Sequence, residues 1–316
     1  MTLLPDLLIE RAALRANRDA LGERTPGGWR WRSWGSFAER AMSIAAGLCA
    51  AGVRPGRAVG ILARSRPEWV EVEFGTFLAG GVVVPLHPAI TSGGALDIVR
   101  RADVRVAFVE DPVQGEKLLA ALAPGGPISR IVAFDPVSHL AGADARGRLE
   151  VSLGEMAVGA PAGALSPLHE FQEMGTAELR RGARDEIGRR REALRPDDPA
   201  TIVFTASDAG DMRGAVLTHD NLAFTTATLG AELSVTAEDR TLLFLPLAHV
   251  YPRLLVWTAV QVGFAVAFTE DRRSVLRDAG DVRPDFLVAV PRFLEAVRLA
   301  VEPARRPPDR PGAARR

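Results

Sequence analysis

Short, continuously apolar and β-branched runs, separated by stretches of helical periodicity, constrain this chain more than any other feature. Residues 58–63, 82–86, 104–109 and 128–134 are such runs, and the segments between them (67–79, 94–102 and 113–122) carry apolar residues at helical spacing. Runs this short and this apolar read as strands buried on both faces. Strands alternating with helices build a mostly parallel sheet with helices packed on it. A helix over 36–51 opens the series, with Ser36-Phe37-Ala38-Glu39 read as a capping box and Gly52 as its stop. The helix that starts at Pro67 carries Trp69, Phe74 and Phe77 and reads as core.

A second series begins at a strand over 200–205. It continues through a polar loop at 206–213, a short run at 215–217, and helices over 221–233, 251–261, 272–279 and 291–301, interleaved with strands over 241–245, 264–268 and 286–290. The fold class expected is therefore α/β, with two mostly parallel sheets flanked by helices. By sequence alone the chain divides into a first α/β subdomain over 1–165, a charged helical connection over 166–196, a second and incomplete α/β subdomain over 197–302, and a disordered basic tail over 303–316. Within the connection, residues 178–195 mix arginines with acids on neighbouring turns, which reads as a solvated helix without a function of its own.

Composition removes several function classes. Lys plus Arg, at 39, balance 39 Asp plus Glu, so no bulk field draws the chain to nucleic acid. Five scattered histidines and the single cysteine, Cys49, show no metal-ligand spacing, and Cys49 cannot form an internal disulfide, which makes a cytoplasmic location the expectation. The longest apolar stretch, 254–268, is too short to span a bilayer and is interrupted by Gln261; no transmembrane segment is expected, and peripheral membrane contact stays open. Lys117 is the single lysine, so chemistry that needs a compact ammonium has one candidate.

The loop after strand 200–205 is where the sequence suggests an anion site. A buried strand ending in Thr205, then Ser207 and Gly210, with Arg213 and Gly214 beyond, has the plan of a phosphate cradle: hydroxyls and backbone amides around an anion, with a cation on the far side. An ordinary turn is the competing reading, because the spacing is not that of a Walker loop.

Four ordered segments add to this: Asp198-Pro-Ala-Thr-Ile-Val-Phe-Thr205, Gly214-Ala-Val-Leu-Thr-His-Asp-Asn-Leu222, Leu245-Pro-Leu-Ala-His-Val-Tyr251, and Pro284-Asp-Phe-Leu-Val-Ala-Val-Pro-Arg-Phe-Leu-Glu295. Together with Arg66-Pro67-Glu68-Trp69 and Gly80-Gly-Val-Val-Val-Pro85, they resemble adenylate-forming enzymes of the long-chain fatty acyl-CoA synthetase type, over about residues 5–301. The resemblance implies a two-step reaction. ATP and a fatty acid give an acyl-adenylate and pyrophosphate, and the coenzyme A thiol then displaces AMP, with Mg2+ as the metal.

Residue by residue, the family's phosphate loop reads Thr-Ser-Gly-Thr-Thr-Gly, a variable residue, then Pro-Lys-Gly. Here those places hold Thr205, Ala206, Ser207, Asp208, Ala209, Gly210, Asp211, Met212, Arg213 and Gly214, so only Thr205, Gly210 and Gly214 match. A carboxylate about 4 Å from a phosphate charge is repelled by roughly 1 kcal/mol in water and about 4 kcal/mol at an intermediate dielectric. If Asp208 points into the loop, triphosphate binding is poor. His249 occupies the segment that borders the reacting carboxylate and acyl tunnel in relatives; a polar contact to the adenylate and a strand-end histidine bonded to a backbone carbonyl are both open. Tyr251 reads as a wall of the acyl site or as packing, and Thr218-His219-Asp220-Asn221 as a helix N-cap.

In the family, the adenine pocket, the metal-meeting segment, the ribose-holding acid and the catalytic lysine follow the point where this sequence stops. The expectation is a chain that holds ATP, Mg2+ and coenzyme A poorly and does not catalyse adenylation alone. Three readings stand: a shortened synthetase-like protein with little chemistry left, a non-catalytic acyl-binding or regulatory module, and one half of a split synthetase completed by a complementary chain. Fatty acid is the expected small-molecule partner, and an exposed sheet edge is expected to favour self-association.

Overall fold

A computed structural model describes residues 2–122, 125–135, 164–206, 212–269 and 272–301. The chain starts with α1 (Leu4–Arg15) and an antiparallel hairpin, β1 (Asp19–Thr25) and β2 (Gly28–Ser33), followed by α2 (Trp34–Ala50). The cap of α2 is Ser33, whose hydroxyl accepts from the Ser36 amide, and not Ser36 as the capping-box pattern suggested. The helix begins two residues early because Trp34 and Phe37 both bury in the core.

The alternating segment then folds as its pattern predicts: β3 (Ala58–Leu62), α3 (Pro67–Leu78), β4 (Val82–Leu86), α4 (Ser92–Arg101) and β5 (Val104–Val109). The expected helix over 113–122 is two short pieces, α5 (Pro112–Glu116), capped by the Asp111 carboxylate, and α6 (Leu119–Leu122). Then come β6 (Arg130–Ala133), β7 (Leu165–Pro167), α7 (Leu168–Glu178), a π-helical turn over Leu179–Ala183, and α8 (Arg184–Ala193). The charged stretch is thus broken at Gly182, whose φ of 102° suits glycine. It is also not fully solvated. Ile187 is buried, and Arg190 donates to the Val53 and Ala79 carbonyls at 2.7 and 3.2 Å, capping the end of α3.

The second series supplies β8 (Pro199–Ala206), β9 (Met212–Thr218), α9 (His219–Glu232), β10 (Arg240–Leu243), α10 (Val250–Val262), β11 (Ala265–Phe268), α11 (Val275–Val282) and α12 (Pro291–Val301). The strand expected over 286–290 is reduced to a single bridge between Phe286 and Thr241. The Asp285 carboxylate and the Thr241 hydroxyl fix the start of that segment, but Leu287 and Val290 beyond it remain 43% and 38% exposed, with no facing strand among the described residues to bury them.

Two sheets result. One has seven strands in the order β7-β6-β5-β3-β4-β8-β9, parallel except for the β8–β9 hairpin; the other has four, β10-β11-β1-β2, parallel except for β1–β2. Each sheet draws on both halves of the sequence. The N-terminal hairpin joins β11 through Leu21↔Val266, while β8 joins β4 through Val83↔Thr201, so the sheets cut across the consecutive subdomains read from the sequence. The main core lies between them and includes Trp34, Phe37, Trp69, Phe74, Phe77, Phe171 and Trp257. All of α3 is buried, including Glu68, Glu71 and Glu73. Arg32 pairs with Glu68 and Glu71, and Arg40 with Glu71. Guanidinium groups on Arg66 and Arg32 hold the Glu68 carboxyl down at about 2 although burial raises it.

Candidate functional site

The β8–β9 hairpin builds the mouth of the loop singled out in the sequence. Phe204 faces Gly214, Thr205 faces Arg213 and Ala206 faces Met212, so the Thr205 hydroxyl and the Arg213 guanidinium stand across from each other where the loop leaves the sheet, both exposed. Ser207, Asp208 and Gly210 lie outside the described residues. Gly214 is held by packing: a Cβ there would come within 2.9 Å of the Ile202 side chain and 3.3 Å of Phe204.

Three elements converge on the carboxyl edge of this part of the sheet. β4 ends at Leu86 and is followed by His87; its neighbour β8 ends at the loop; and His249 is the N-cap residue of α10. The His87 and His249 rings lie 5.6 Å apart, tilted by 41°. His249 is exposed at a helix start instead of a strand end, and its backbone amide donates to the Pro246 carbonyl at 3.1 Å. Ser65 fixes the turn that presents it, donating to the Leu245 carbonyl and accepting from the Leu247 amide, each at 2.9 Å. Tyr251 is 50% exposed in the first turn of α10, which excludes a buried packing role.

What locks β8 against α10 is an arrangement the sequence reading passed over. The Arg253 guanidinium is fully buried, donates to Glu73 Oε1 from Nε at 2.8 Å and to Thr201 Oγ1 from Nη1 at 2.9 Å, and lies over the Trp257 and Trp69 rings at 4.7 and 5.4 Å. Thr201 in turn donates to the Val83 carbonyl at 2.7 Å, joining β8 to β4. Burial pushes the Glu73 carboxyl up and the Arg253 guanidinium down, each opposed by the charge of the other. A signal for this existed: Arg253 is the one charged residue inside the mostly apolar Val250–Val262, and a buried arginine calls for an acid as partner.

His219, read as part of an N-cap, is the first residue of α9 behind the Thr218 capping box. Its ring is buried against Phe77 at 5.3 Å, and neither ring nitrogen has a hydrogen-bond partner among the described residues. Burial lowers its pKa to about 4, with the Asp198 charge opposing. A buried neutral imidazole facing a phenyl ring belongs to the core. Among the described residues, no group of three His, Cys, Asp or Glu could hold a metal ion, and no helix is long and apolar enough to cross a membrane.

The family model described as AMP-binding enzyme matches residues 8–315. Long-chain-fatty-acid-CoA ligase 5 of Rattus norvegicus is 28% identical over 297 residues, covering 90% of this chain and 40% of the rat protein. Long-chain-fatty-acid-CoA ligase 1 of Cavia porcellus is 31% identical over 292 residues, covering 88% and 38%. The chain therefore spans about two fifths of the length of these relatives. Among solved structures, a long-chain-fatty-acid-CoA ligase from Archaeoglobus fulgidus superposes with a TM-score of 0.73 at 19% identity, covering 95% of this chain and 54% of the other. A fatty acyl CoA synthetase from Mycobacterium tuberculosis gives 0.70 at 20%, covering 96% and 52%.

Proposed function

The chain belongs to the AMP-binding enzyme family, and from that premise we propose that it is the amino-terminal portion of a long-chain fatty acid-CoA ligase type of protein, competent to hold an acyl substrate and strongly impaired in binding ATP by itself. The observation that carries this reading is the β8–β9 hairpin, which sets Thr205 opposite Arg213 where the segment Ser207-Asp-Ala-Gly-Asp211 joins the two strands. The flanking hydroxyl and guanidinium suit an anion. If Asp208 points into the loop it opposes the anion, because like charges about 4 Å apart cost about 1 to 4 kcal/mol according to the local dielectric. Mg2+ and coenzyme A enter by family membership, as does the fatty acid, and a cytoplasmic location follows from the single cysteine, Cys49.

The test is a calorimetric titration of the purified chain with a long-chain fatty acid and, separately, with ATP and magnesium. Saturable fatty-acid binding is expected, with ATP binding weak in the natural sequence and strengthened about tenfold or more by Asp208→Thr. Vigorous thioester synthesis by the lone chain, or ATP binding indifferent to Asp208, would overturn the nucleotide part; a flat fatty-acid titration would overturn the acyl part.

A second reading, in which another chain completes the fold, is supported by the outer edge of the seven-stranded sheet. β9 is its last strand, Val216 on that strand is 52% exposed, and Phe224 on the adjoining α9 is 63% exposed. An edge of this kind pairs with a second copy or a complementary synthetase chain.

A further inference from the structure

In an open parallel sheet, ligands settle in the crevice at the carboxyl ends of two neighbouring strands whose outgoing connections leave in opposite directions. β3 and β5 are such a pair here. β3 runs on to β4 on one side, β5 runs on to β6 on the other, and the two strands are hydrogen-bonded neighbours at the centre of the seven-stranded sheet. At that point the structure has a cavity of about 320 Å³, walled by Arg64, Arg66 and Glu110 from the strand ends and closed over by Glu23, Arg24 and Phe268 of the other sheet. It lies on different strands from the β8–β9 loop.

The hydrogen-bonding capacity in this crevice is uneven. Its carboxylates are already engaged. Glu110, 4% exposed, accepts from the Arg64 amide at 3.2 Å and from Arg64 Nε at 2.7 Å; Asp135 accepts both terminal nitrogens of Arg66 at 2.6 and 3.1 Å; and Glu23 accepts from Arg30 and Arg32. Arg64 is different. Glu110 holds it by Nε and by its backbone, and neither Nη1 nor Nη2 makes a hydrogen bond to any described residue, although the side chain is 65% exposed at the cavity. A buried carboxylate thus fixes the base of a guanidinium whose planar fork remains available, the geometry that matches the two oxygens of a carboxylate or a phosphate.

We propose that the crevice between the carboxyl ends of β3 and β5 is a ligand site for a small molecule bearing an oxyanion, carboxylate or phosphate, which is gripped by the Arg64 fork, with Arg66 and Glu110 holding that wall in place. Neither the phosphate loop nor the acyl reading is required for it.

Calorimetric titrations of the full chain with inorganic phosphate and with malonate, at constant ionic strength, test the site. Saturable binding of one equivalent of either probe is expected, and the tighter of the two names the ligand's chemical class. Arg64→Ala is expected to weaken binding about tenfold or more, since it removes a charge-assisted pair of donors. Arg189→Ala, an exposed arginine of α8 outside the cavity lining, is expected to leave it unchanged. Arg64 is largely exposed, so a melting temperature equal to that of the natural chain confirms that the variant folds. Two results would overturn the assignment: no saturable binding of either probe, or binding that persists in Arg64→Ala.

Discussion

Glu73 and Arg253 form an ion pair in which neither side chain touches solvent, with Arg253 Nε 2.8 Å from Glu73 Oε1. Both charges have left water, so the attraction between them largely repays a desolvation cost, and removing one partner strands the other. Glu73→Ala and Arg253→Ala should each cost about 3–5 kcal/mol in urea denaturation. The double substitution Glu73→Met with Arg253→Met should cost less than either single change. Single variants within about 1 kcal/mol of the natural chain would show that water reaches the pair.

His219 should make stability depend on pH in a defined window. Its folded pKa is about 4 against 6.5 for an ordinary histidine, so between those values the unfolded chain binds the extra proton. The contribution is therefore whole above pH 6.5 and is lost as pH falls toward 4, at a limiting slope of about 1.4 kcal/mol per pH unit. His219→Leu, similar in volume and facing Phe77, should flatten that slope. Denaturation curves at pH 7 and pH 5 check this, and equal pH dependence in both proteins would refute it.

These two buried groups also show where the sequence stops being readable. β3, β4 and β5 were legible because each is a short run buried on both faces, and α3 because Trp69, Phe74 and Phe77 mark it as core. The β1–β2 hairpin was not, since Asp19–Thr25 and Gly28–Ser33 are rich in charge; Arg32 pairs with Glu23 across the hairpin and with Glu68, a partner far along the chain. Sheet membership was hidden for the same reason, because pairings such as Leu21↔Val266 leave no local pattern. Thr205 ends one of the ordered motifs and Arg213 just precedes the next, and the hairpin register sets them across from each other. Arg253 could be found only by asking where a charge inside an apolar helix goes.

Two glycines should respond oppositely to alanine. At Gly175 in α7, a Cβ would lie 1.8 Å from the Ser43 backbone oxygen, which no rotamer change relieves, so Gly175→Ala should destabilise by about 3 kcal/mol or more as α7 is forced off α2. At Gly188 in α8 nothing lies within 4 Å, and the residue is helical. Gly188→Ala should therefore stabilise by about 1 kcal/mol through helix propensity. Thermal melts of the two variants read both effects, and a shift of the same sign in both would contradict the packing described.

The edge strand supplies the last test. β9 presents Arg213, Gly214, Ala215 and Val216 exposed, and among the described residues its backbone pairs on the β8 side alone. Natural sheets guard such an edge with charge, and Arg213 guards one end of this strand while Val216 leaves its middle open. Val216→Lys places a charge where an incoming strand would dock and, being exposed, costs under about 0.5 kcal/mol of stability. If copies of the chain pair through β9, sedimentation velocity should show a concentration-dependent oligomer in the natural sequence and a monomer in the variant. An oligomer that survives Val216→Lys would move the contact to the exposed apolar residues of α12, of which Leu294 is 58% exposed. A monomer in both proteins would remove self-association through this edge and leave pairing with a different chain as the form of the second reading still to be tried.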